Sequence, residues 1–452
     1  MGRLFGTDGI RGVANQYPIT VEMAVNVGRA VASIFAGKKE RPKIIIGKDT
    51  RISGDMIEHA IASGICSMGA DTLLAGVMPT PAIACLTIES DAAAGIVISA
   101  SHNPFYDNGI KIFNGNGCKL SDPDENEVEE ILLSGGSASD FCRTIQKTGR
   151  VNLLNNGAEL YLQVLKNALP PGFSLKGVTI ALDCSNGAMY NIAPTFFSML
   201  GAKIETIFDN PDGLNINHNC GSQHTASLQK LVKKTNADIG LAFDGDGDRL
   251  IAVDEKGNEI SGDQIMLIGA KFLQENNKLR NNLLVTTVMS NIGLKMALGS
   301  LGIDHCASEV GDRCVMKMMQ NKKAVLGGED SGHIIYLDHQ TTGDGLLAGI
   351  KLIEAMLASE KPLSVLSKMM TVFPQKLINI DVKKKPDLQT IPSITNEIKK
   401  VEKLLGSKGR VLVRYSGTQQ KCRVMVEGPT PEETEKYCNQ IANAVKNAIG
   451  AG

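Results

Sequence analysis

Short apolar runs alternate along this chain with longer stretches whose apolar residues recur at helical spacing, and the alternation repeats. Ile44-Ile45-Ile46 reads as a strand, Ser53 to Met68 as a helix, and Asp71 to Val77 as a second strand. Val178 to Leu182, a helix from about Ala188 to Leu200 and the strand Ala202 to Phe208 form a second copy. Leu283 to Val288, a helix from about Asn291 to Leu301 and the strand Ile303 to Ser308 form a third. Each helix stops at a glycine (Gly69, Gly201 or Gly302), the residue that most readily takes the left-handed turn after a helix. Strand, helix and strand at this spacing predict a βαβ unit with parallel strands and a right-handed crossover. Identity between the copies is low, so the repeat is one of structure.

Every copy is followed by a strand, a polar loop and a returning strand. Ala92 to Ile98 leads into Ser99-Ala100-Ser101-His102-Asn103-Pro104, and Gly109 to Phe113 returns. Ile239 to Phe243 leads into Asp244-Gly245-Asp246-Gly247-Asp248-Arg249, and Leu250 to Val253 returns. Ala324 to Leu326 leads into Gly327-Gly328-Glu329-Asp330-Ser331-Gly332-His333, and Ile334 to Leu337 returns. Ahead of the first copy, Gly6-Thr7-Asp8-Gly9-Ile10-Arg11-Gly12 reads as a glycine-rich turn. Thr20 then caps a helix over Val21 to about Ala36. The tail has a short helical stretch after Pro386, the strands Arg410 to Val413 and Arg423 to Glu427, and a last helix to about Ile449. Thr430-Pro431-Glu432-Glu433 opens that helix as a capping box with proline at its first position. The expected fold is α/β: four domains around a central cleft, three α/β domains with mixed sheets and a smaller C-terminal α+β domain. Its expected divisions are 1–150, 151–255, 256–370 and 371–452. If the domains share a cleft, the polar loops meet there.

Bulk properties narrow the function. A chain of 452 residues is expected to hold several domains. A net charge of −1 supplies no general field for nucleic acid or an anionic membrane, so any phosphate must be held by local groups. No apolar run is long enough to span a bilayer, and Met1-Gly2-Arg3-Leu4-Phe5-Gly6 lacks an apolar core of signal-peptide length. The ten cysteines include no Cys-x-x-Cys pair, which argues against a zinc ribbon or a thioredoxin-like motif. Scattered free thiols fit a reducing compartment, and the expected setting is cytoplasmic.

The loops carry the chemistry. A hydroxyl at the mouth of a buried strand, with an imidazole beside it, is where a nucleophile would sit, which singles out Ser101 and His102. Ser99 is the competing hydroxyl, and an Asn-Pro turn with solvated serines uses the same residues. Asp244, Asp246 and Asp248 alternate with glycine, so in an extended segment their carboxylates point to one side. Three packed carboxylates repel, and a hard cation such as Mg²⁺ removes that cost. Calcium in an EF-hand competes, because Glu255 falls at the twelfth position of such a loop. Against it, Arg249 stands where that loop needs glycine, and both flanks read as strands. A solvated acidic turn is the third possibility. Arg414-Tyr415-Ser416-Gly417-Thr418, with Arg423 on the returning strand, has the guanidinium forks and hydroxyls of a phosphate grip, or is a plain hairpin turn. Glu329 and Ser331 suit sugar hydroxyls, and His333 suits proton transfer near neutral pH. Lys111 is a second acid/base candidate if a neighbouring cation lowers its pKa.

These four loops, in this order and spacing over nearly the whole chain, resemble those of the α-D-phosphohexomutase superfamily. Leu4 to Gly12, Thr341-Thr342-Gly343-Asp344-Gly345 and Phe373-Pro374-Gln375 resemble its hexosamine-phosphate branch. The resemblance implies reversible conversion of glucosamine 6-phosphate to glucosamine 1-phosphate through a phosphoserine enzyme and a hexosamine 1,6-bisphosphate, which also serves as activator. Glucose and mannose phosphates are the nearest alternative substrates. A metal-dependent phosphohydrolase and a non-catalytic sugar-phosphate sensor stand further off. The resemblance implies that Ser101 carries the phosphate, that one Mg²⁺ bridges it to Asp244, Asp246 and Asp248, and that Arg249 steadies the transferring group. Lys111 and His333 exchange protons with the sugar hydroxyls, with His102 beside the phosphoserine. Thr7, Arg11, Glu329 and Ser331 bind the sugar phosphate, and Arg414, Ser416, Gly417, Thr418 and Arg423 hold the idle phosphate. Gln419-Gln420-Lys421 departs from the family's usual Glu-Pro after Ser-Gly-Thr. The implied partner is a small hexosamine phosphate, not nucleic acid or a membrane, and monomer and dimer both stay open.

Overall fold

Parallel pairing joins the first two strands of every copy, as the βαβ spacing requires. The computed structural model describes residues 4–6, 8–35, 41–133, 147–416 and 420–451. Two compact units are present, Met1–Val288 with Asp304–Ser367, and Met289–Ile303 with Lys368–Gly452.

The first sheet of the larger unit contains β1 (Phe5–Gly6), β2 (Gly9–Val13), β3 (Lys43–Lys48), β4 (Asp71–Val77), β5 (Ala94–Ile98), β6 (Asp107–Asn114) and β7 (Val151–Leu153), in the spatial order β1-β2-β6-β5-β3-β4-β7. Its helices are α1 (Val21–Phe35), α2 (Gly54–Ser67), α3 (Thr80–Glu89) and α4 (Asp122–Leu133). The second sheet follows α5 (Gly157–Asn167). It contains β8 (Thr179–Asp183), β9 (Lys203–Ile207), β10 (Ile239–Phe243), β11 (Leu250–Asp254) and β12 (Glu259–Ile260), with α6 (Met189–Met199) and α7 (Ala226–Thr235). The third follows α8 (Gly262–Glu275). It contains β13 (Leu283–Thr287), β14 (Asp304–Ser308), β15 (Leu326–Gly328) and β16 (Ile334–Tyr336); of the helices in its connections, α9 (Ile292–Ser300) belongs to the smaller unit and α10 (Asp312–Lys322) to the larger. After it come α11 (Gly345–Ser359) and α12 (Leu363–Leu366).

One topology is used three times. The orders β4-β3-β5-β6, β9-β8-β10-β11 and β14-β13-β15-β16 are equivalent, and in each the last strand alone runs antiparallel. The central strands are buried on both faces, as parallel strands between helical layers must be. Gly69, Gly201 and Gly302, one residue past the caps of α2, α6 and α9, all have positive φ (88°, 94° and 68°), which is the role the sequence assigns them.

The smaller unit holds the antiparallel sheet β17-β19-β18, made of β17 (Gln375–Asp381), β18 (Arg410–Tyr415) and β19 (Lys421–Glu427). α13 (Pro392–Leu405) and α14 (Pro431–Ile449) cover one face. Thr430 caps α14, its hydroxyl accepting the Glu433 N–H at 3.2 Å. The expected three mixed α/β sheets and α+β tail are thus present. Two local readings need correction. The Gly6–Gly12 stretch is not a plain turn: Gly9–Val13 pairs along β6, so Arg11 sits on a strand. The strand expected at Ala324–Leu326 lies further on, at Leu326–Gly328, because the two glycines pair with Ile335 and Ile334 of β16.

α1 and α2 cross at Gly28 and Gly64, where a Cβ would lie 2.2 Å from Ile61 O and 2.1 Å from Val25 O. Alanine would gain about 1 kcal/mol of helix propensity at either site, but must push two backbones apart. The expected net effect of Gly28→Ala is a loss of about 1–3 kcal/mol, read as a lower thermal midpoint. Gly299→Ala on α9, where a Cβ meets nothing within 4 Å, is the control and should leave the midpoint level or raise it.

Candidate active site

The three polar loops occupy one topological position, the turn from the carboxyl end of the third strand into its antiparallel partner: β5 to β6, β10 to β11 and β15 to β16. Carboxyl ends of central strands are where open α/β sheets take their ligands.

In the first loop, Ser101 is fully buried and has φ 53°, a left-handed conformation that costs a non-glycine residue energy. The surroundings enforce it. Arg51, buried at the end of β3, spends every N–H of its guanidinium. Nε donates to Asp49 Oδ2 at 2.8 Å, and the terminal nitrogens donate to the carbonyls of Ser101 (3.0 Å), Asn103 (2.8 Å), Asp107 (2.9 Å) and Pro104. Asn217 Nδ2 donates to Ser101 O (2.8 Å) and Asn103 O (3.0 Å). Ser99 is committed elsewhere: its hydroxyl donates to Asp49 Oδ2 at 2.6 Å and accepts the Ser101 N–H at 2.9 Å. Ser101 Oγ is aimed at the second loop and donates to Asp244 Oδ2 at 2.6 Å, with His102 Nδ1 3.2 Å away. Burial, then the charges of Arg249 and Arg11, push the His102 pKa down to about 4, so its ring is neutral near pH 7.

In the second loop, Asp244, Asp246 and Asp248 are buried and each offers an oxygen within 4.8 Å of the others. Burial, then Asp248 and Asp246, push the Asp244 carboxyl well above the usual range. Asp246 Oδ1 and Asp248 Oδ1 are buried and accept no hydrogen bond from the described residues. Three carboxylates with oxygens this close, two of them with an oxygen that accepts no hydrogen bond from the described residues, are a donor set for a hard divalent cation, and the residues fit one. The flanks are strands, which removes the EF-hand alternative. The outer oxygens are spoken for: Thr80 Oγ1 donates to Asp246 Oδ2 at 2.5 Å, and Lys111 Nζ donates to the same oxygen at 2.7 Å. Lys111 also lies 3.4 Å from Asp248 Oδ2 and 3.1 Å from Asp8 Oδ2. Burial alone would lower the Lys111 pKa, but Asp246, Asp8 and Asp248 outweigh it and hold it well above the ordinary value. The expectation of a lysine with a lowered pKa is therefore corrected: three anions keep it charged. Arg249 follows, its N–H donating to Asp244 Oδ1 at 3.2 Å and its buried Nε free of any hydrogen bond from the described residues.

In the third loop, Glu329 is partly buried and Ser331 is exposed. Glu329 Oε1 accepts the Gly311 N–H at 3.1 Å, just ahead of α10. Asp330 faces away, toward Ser261 and Asp263 at the start of α8. His333 is buried, with Nδ1 3.5 Å from Asp248 Oδ2, and Gly343 N–H donates to its Nε2 at 3.0 Å. The neutral ring thus carries its proton on Nδ1. Burial opposes a charge on His333, but Asp248 and Asp312 outweigh it and raise its pKa. Arg11 extends from β2 toward the first loop, its guanidinium 3.4 Å from Ala100 O and paired with Asp8.

In the smaller unit, Arg414 and Arg423 stand directly opposite each other on β18 and β19. Arg423 Nε is buried and donates no hydrogen bond to any described residue. Ser416 is buried and its N–H donates to Lys421 O at 2.9 Å. Lys385 Nζ donates to Ser416 O at 2.7 Å, adding a cation beside the loop. Thr7, Gly417, Thr418 and Gln419 lie outside the described residues.

Four stretches match one family in order. Residues 2–138, 159–257 and 261–373 match the phosphoglucomutase/phosphomannomutase alpha/beta/alpha domains I, II and III, and residues 377–444 match its C-terminal domain. The chain belongs to this family, the α-D-phosphohexomutases. It is similar to the phosphoglucosamine mutase of Syntrophus aciditrophicus, at 55% identity over 450 residues and 100% of both chains. That of Syntrophobacter fumaroxidans is 56% identical over the same span and coverage. Among solved structures, a phosphoglucomutase/phosphomannomutase family protein from Burkholderia thailandensis superposes with a TM-score of 0.80 at 22% identity, covering 98% of this chain and 97% of that one. Aspergillus fumigatus N-acetylphosphoglucosamine mutase, solved in complex with GlcNAc-6P and magnesium, superposes at 0.64 with 17% identity, covering 98% and 96%. This chain is thus a phosphohexomutase, an isomerase.

For this phosphohexomutase, sequence reasoning overlooked Asp49, Arg51, Thr80 and Asn217, which hold the serine and metal loops in place. A charged Asp-Thr-Arg triplet directly after an apolar strand was the available signal for Asp49 and Arg51. Thr80 and Asn217 give none, because their partners are distant in the chain. Arg51→Met strands the Asp49 carboxylate and four loop carbonyls in a buried site. The expected cost is about 3–5 kcal/mol in denaturant unfolding, with loss of activity. A variant within about 1 kcal/mol of the parent would contradict the role given to Arg51.

Proposed function

We propose that this phosphohexomutase interconverts glucosamine 6-phosphate and glucosamine 1-phosphate, with Ser101 as the residue that carries and transfers the phosphoryl group. The observation that carries the reading is the 2.6 Å contact of the strained, buried Ser101 hydroxyl with the three-carboxylate cluster. The full-length likeness to phosphoglucosamine mutases supports glucosamine as the sugar. Segments 1–150, 151–255, 256–370 and 371–452 then supply the phosphoserine, metal, sugar and phosphate loops in turn.

Asp244, Asp246 and Asp248, together with the phosphate on Ser101, would hold one Mg²⁺, which when bound would neutralise charge on the phosphoryl oxygens. The phosphoryl group leaves Ser101 Oγ for the free hydroxyl of the sugar, giving a 1,6-bisphosphate; the attacking hydroxyl gives up its proton and the serine oxygen takes one up. The bisphosphate turns over, and its other phosphoryl group returns to Ser101. Arg249, whose buried Nε donates no hydrogen bond to any described residue and lies 3.7 Å from Asp248 Oδ1, follows the transferring group. His333, and Lys111 as the charged partner, exchange protons with the attacking and leaving hydroxyls, with neutral His102 beside Ser101. Thr7, Arg11, Glu329 and Ser331 orient the sugar phosphate. Arg414, Ser416, Gly417, Thr418 and Arg423 hold the phosphate that is not reacting. Positioning and charge supply most of the rate, as in phosphoryl transfer generally. The cysteines among the described residues are all free, and no helix of the described chain is long and apolar enough to cross a membrane. Both support a cytoplasmic setting.

The test is peptide mass spectrometry on active enzyme combined with assays on glucosamine, glucose and mannose phosphates. One phosphate on Ser101 and preference for the glucosamine substrate are expected. Phosphatase-treated protein should be inactive and recover with catalytic amounts of a hexose 1,6-bisphosphate. Ser101→Ala should lose both modification and activity, whereas Ser99→Ala should keep the modification. Full activity without phosphate, or phosphate on Ser99 alone, would overturn the reading. For the phosphate grip, Arg414→Ala removes a charge-assisted contact of about 1.5–3 kcal/mol, so KM should rise roughly ten- to a hundredfold. Unchanged KM and kcat would remove Arg414 from the site.

A further inference from the structure

Lys119 is a mostly buried cation to which these assignments give no role. Lys119, just beyond β6, donates to Asp8 Oδ1 on one side and to Asp312 Oδ2 on the other. Each of those carboxylates touches a group given a proton-handling role. Asp8 Oδ2 lies 3.1 Å from Lys111 Nζ, and Asp312 Oδ2 lies 3.9 Å from His333 Nε2. Lys111 and His333 in turn meet at Asp248, at 3.4 and 3.5 Å. The contacts form a ring that begins and ends on the metal loop, and Lys119 is its far member. Asp312 belongs to the third sheet's α10, whereas Asp8, Lys111 and Lys119 belong to the first sheet's segment.

Asp8 and Asp312 repel each other. Asp8 is kept ionised against burial by Lys111, then Lys119 and Arg11, whereas Asp312 relies first on Lys119 against burial and Asp8. Without Lys119, Asp312 loses its main counter-charge while Asp8 still repels it, so it takes up a proton or turns away from His333, and Asp8 loses the contact that fixes its second oxygen. We propose that Lys119 is a positioning residue for the reaction, holding Asp8 on Lys111 and Asp312 beside His333 so that both proton-exchanging groups keep their places. The inference rests on the assignment of Lys111 and His333 above.

A plain strut between the two segments is the competing role, and Arg313 separates the two. Arg313 also joins them, through Asp122 at 3.1 Å and through Glu125, but it lies on the outer side and touches neither Lys111 nor His333. The experiment is steady-state kinetics of the Mg²⁺-loaded, phosphorylated enzyme, with thermal midpoints, for Lys119→Met, Lys119→Arg, Arg313→Met and Lys111→Met. Lys119→Met should lower kcat about ten- to a hundredfold, with KM within roughly threefold. Lys119→Arg should recover most of that loss, and Arg313→Met should lower the midpoint but keep kcat. A crystal structure of Lys119→Met should show Asp8 or Asp312 displaced. If Lys119→Met does not fold, Asp312→Asn is read in the same way, and an unchanged kcat counts against the proposal. Normal kcat in Lys119→Met, or an equal loss in Arg313→Met, overturns it. Full activity in Lys111→Met overturns instead the assignment on which it rests.

Discussion

Three carboxylates share one dry site, and most of what surrounds them answers that fact. Asp244, Asp246 and Asp248 are buried within a few ångströms of one another, where water cannot screen their repulsion. Buried Lys111 sits among two of them and Asp8, and Thr80 saturates an oxygen that Lys111 alone does not. Asp246 and Asp248 each keep one buried oxygen that accepts no hydrogen bond from the described residues. Ser101, held left-handed by the Arg51 guanidinium and Asn217, delivers its hydroxyl to the same cluster. Strain at the serine and repulsion at the carboxylates are thus stored next to each other.

The threefold topology explains how such a cluster can be assembled. An antiparallel fourth strand in each sheet turns the carboxyl end of the third strand into a tight loop at the same place in every copy. The copies have filled it differently: a serine and histidine, three aspartates, and a glutamate with a histidine. Contacts between loops then tie the sheets together, from Ser101 to Asp244, Lys111 to Asp246, and His333 to Asp248. The same bonds that build the site therefore stabilise the association of the sheets.

The local chemistry of the chain was readable without the fold. Apolar runs and glycine stops located the repeat because strand burial and left-handed helix ends depend on nearest neighbours, and Gly69, Gly201 and Gly302 indeed adopt the required φ. The alternating aspartates announced a cation site because their spacing alone fixes one face. The Gly9–Val13 strand was missed because its glycines weaken every local strand signal; only pairing with β6 makes it a strand. The charge of Lys111 was misjudged for a related reason. Its pKa is set by Asp246, Asp8 and Asp248, all of them more than a hundred residues away.

The sequence by itself determined the order of elements, the three mixed sheets, the tail and the four loops with their donor types, because these follow from periodicity and side-chain chemistry. Only the tertiary structure decided which hydroxyl of the serine loop faces the carboxylates. Ser99 and Ser101 are alike in sequence, yet Asp49 captures one and Asp244 the other. It also decided that Lys111 is a charged partner, that Asp330 turns from the sugar loop toward α8, and that Lys119 joins Asp8 to Asp312. In each case the deciding partner is distant along the chain, and electrostatic energy depends on distance in space.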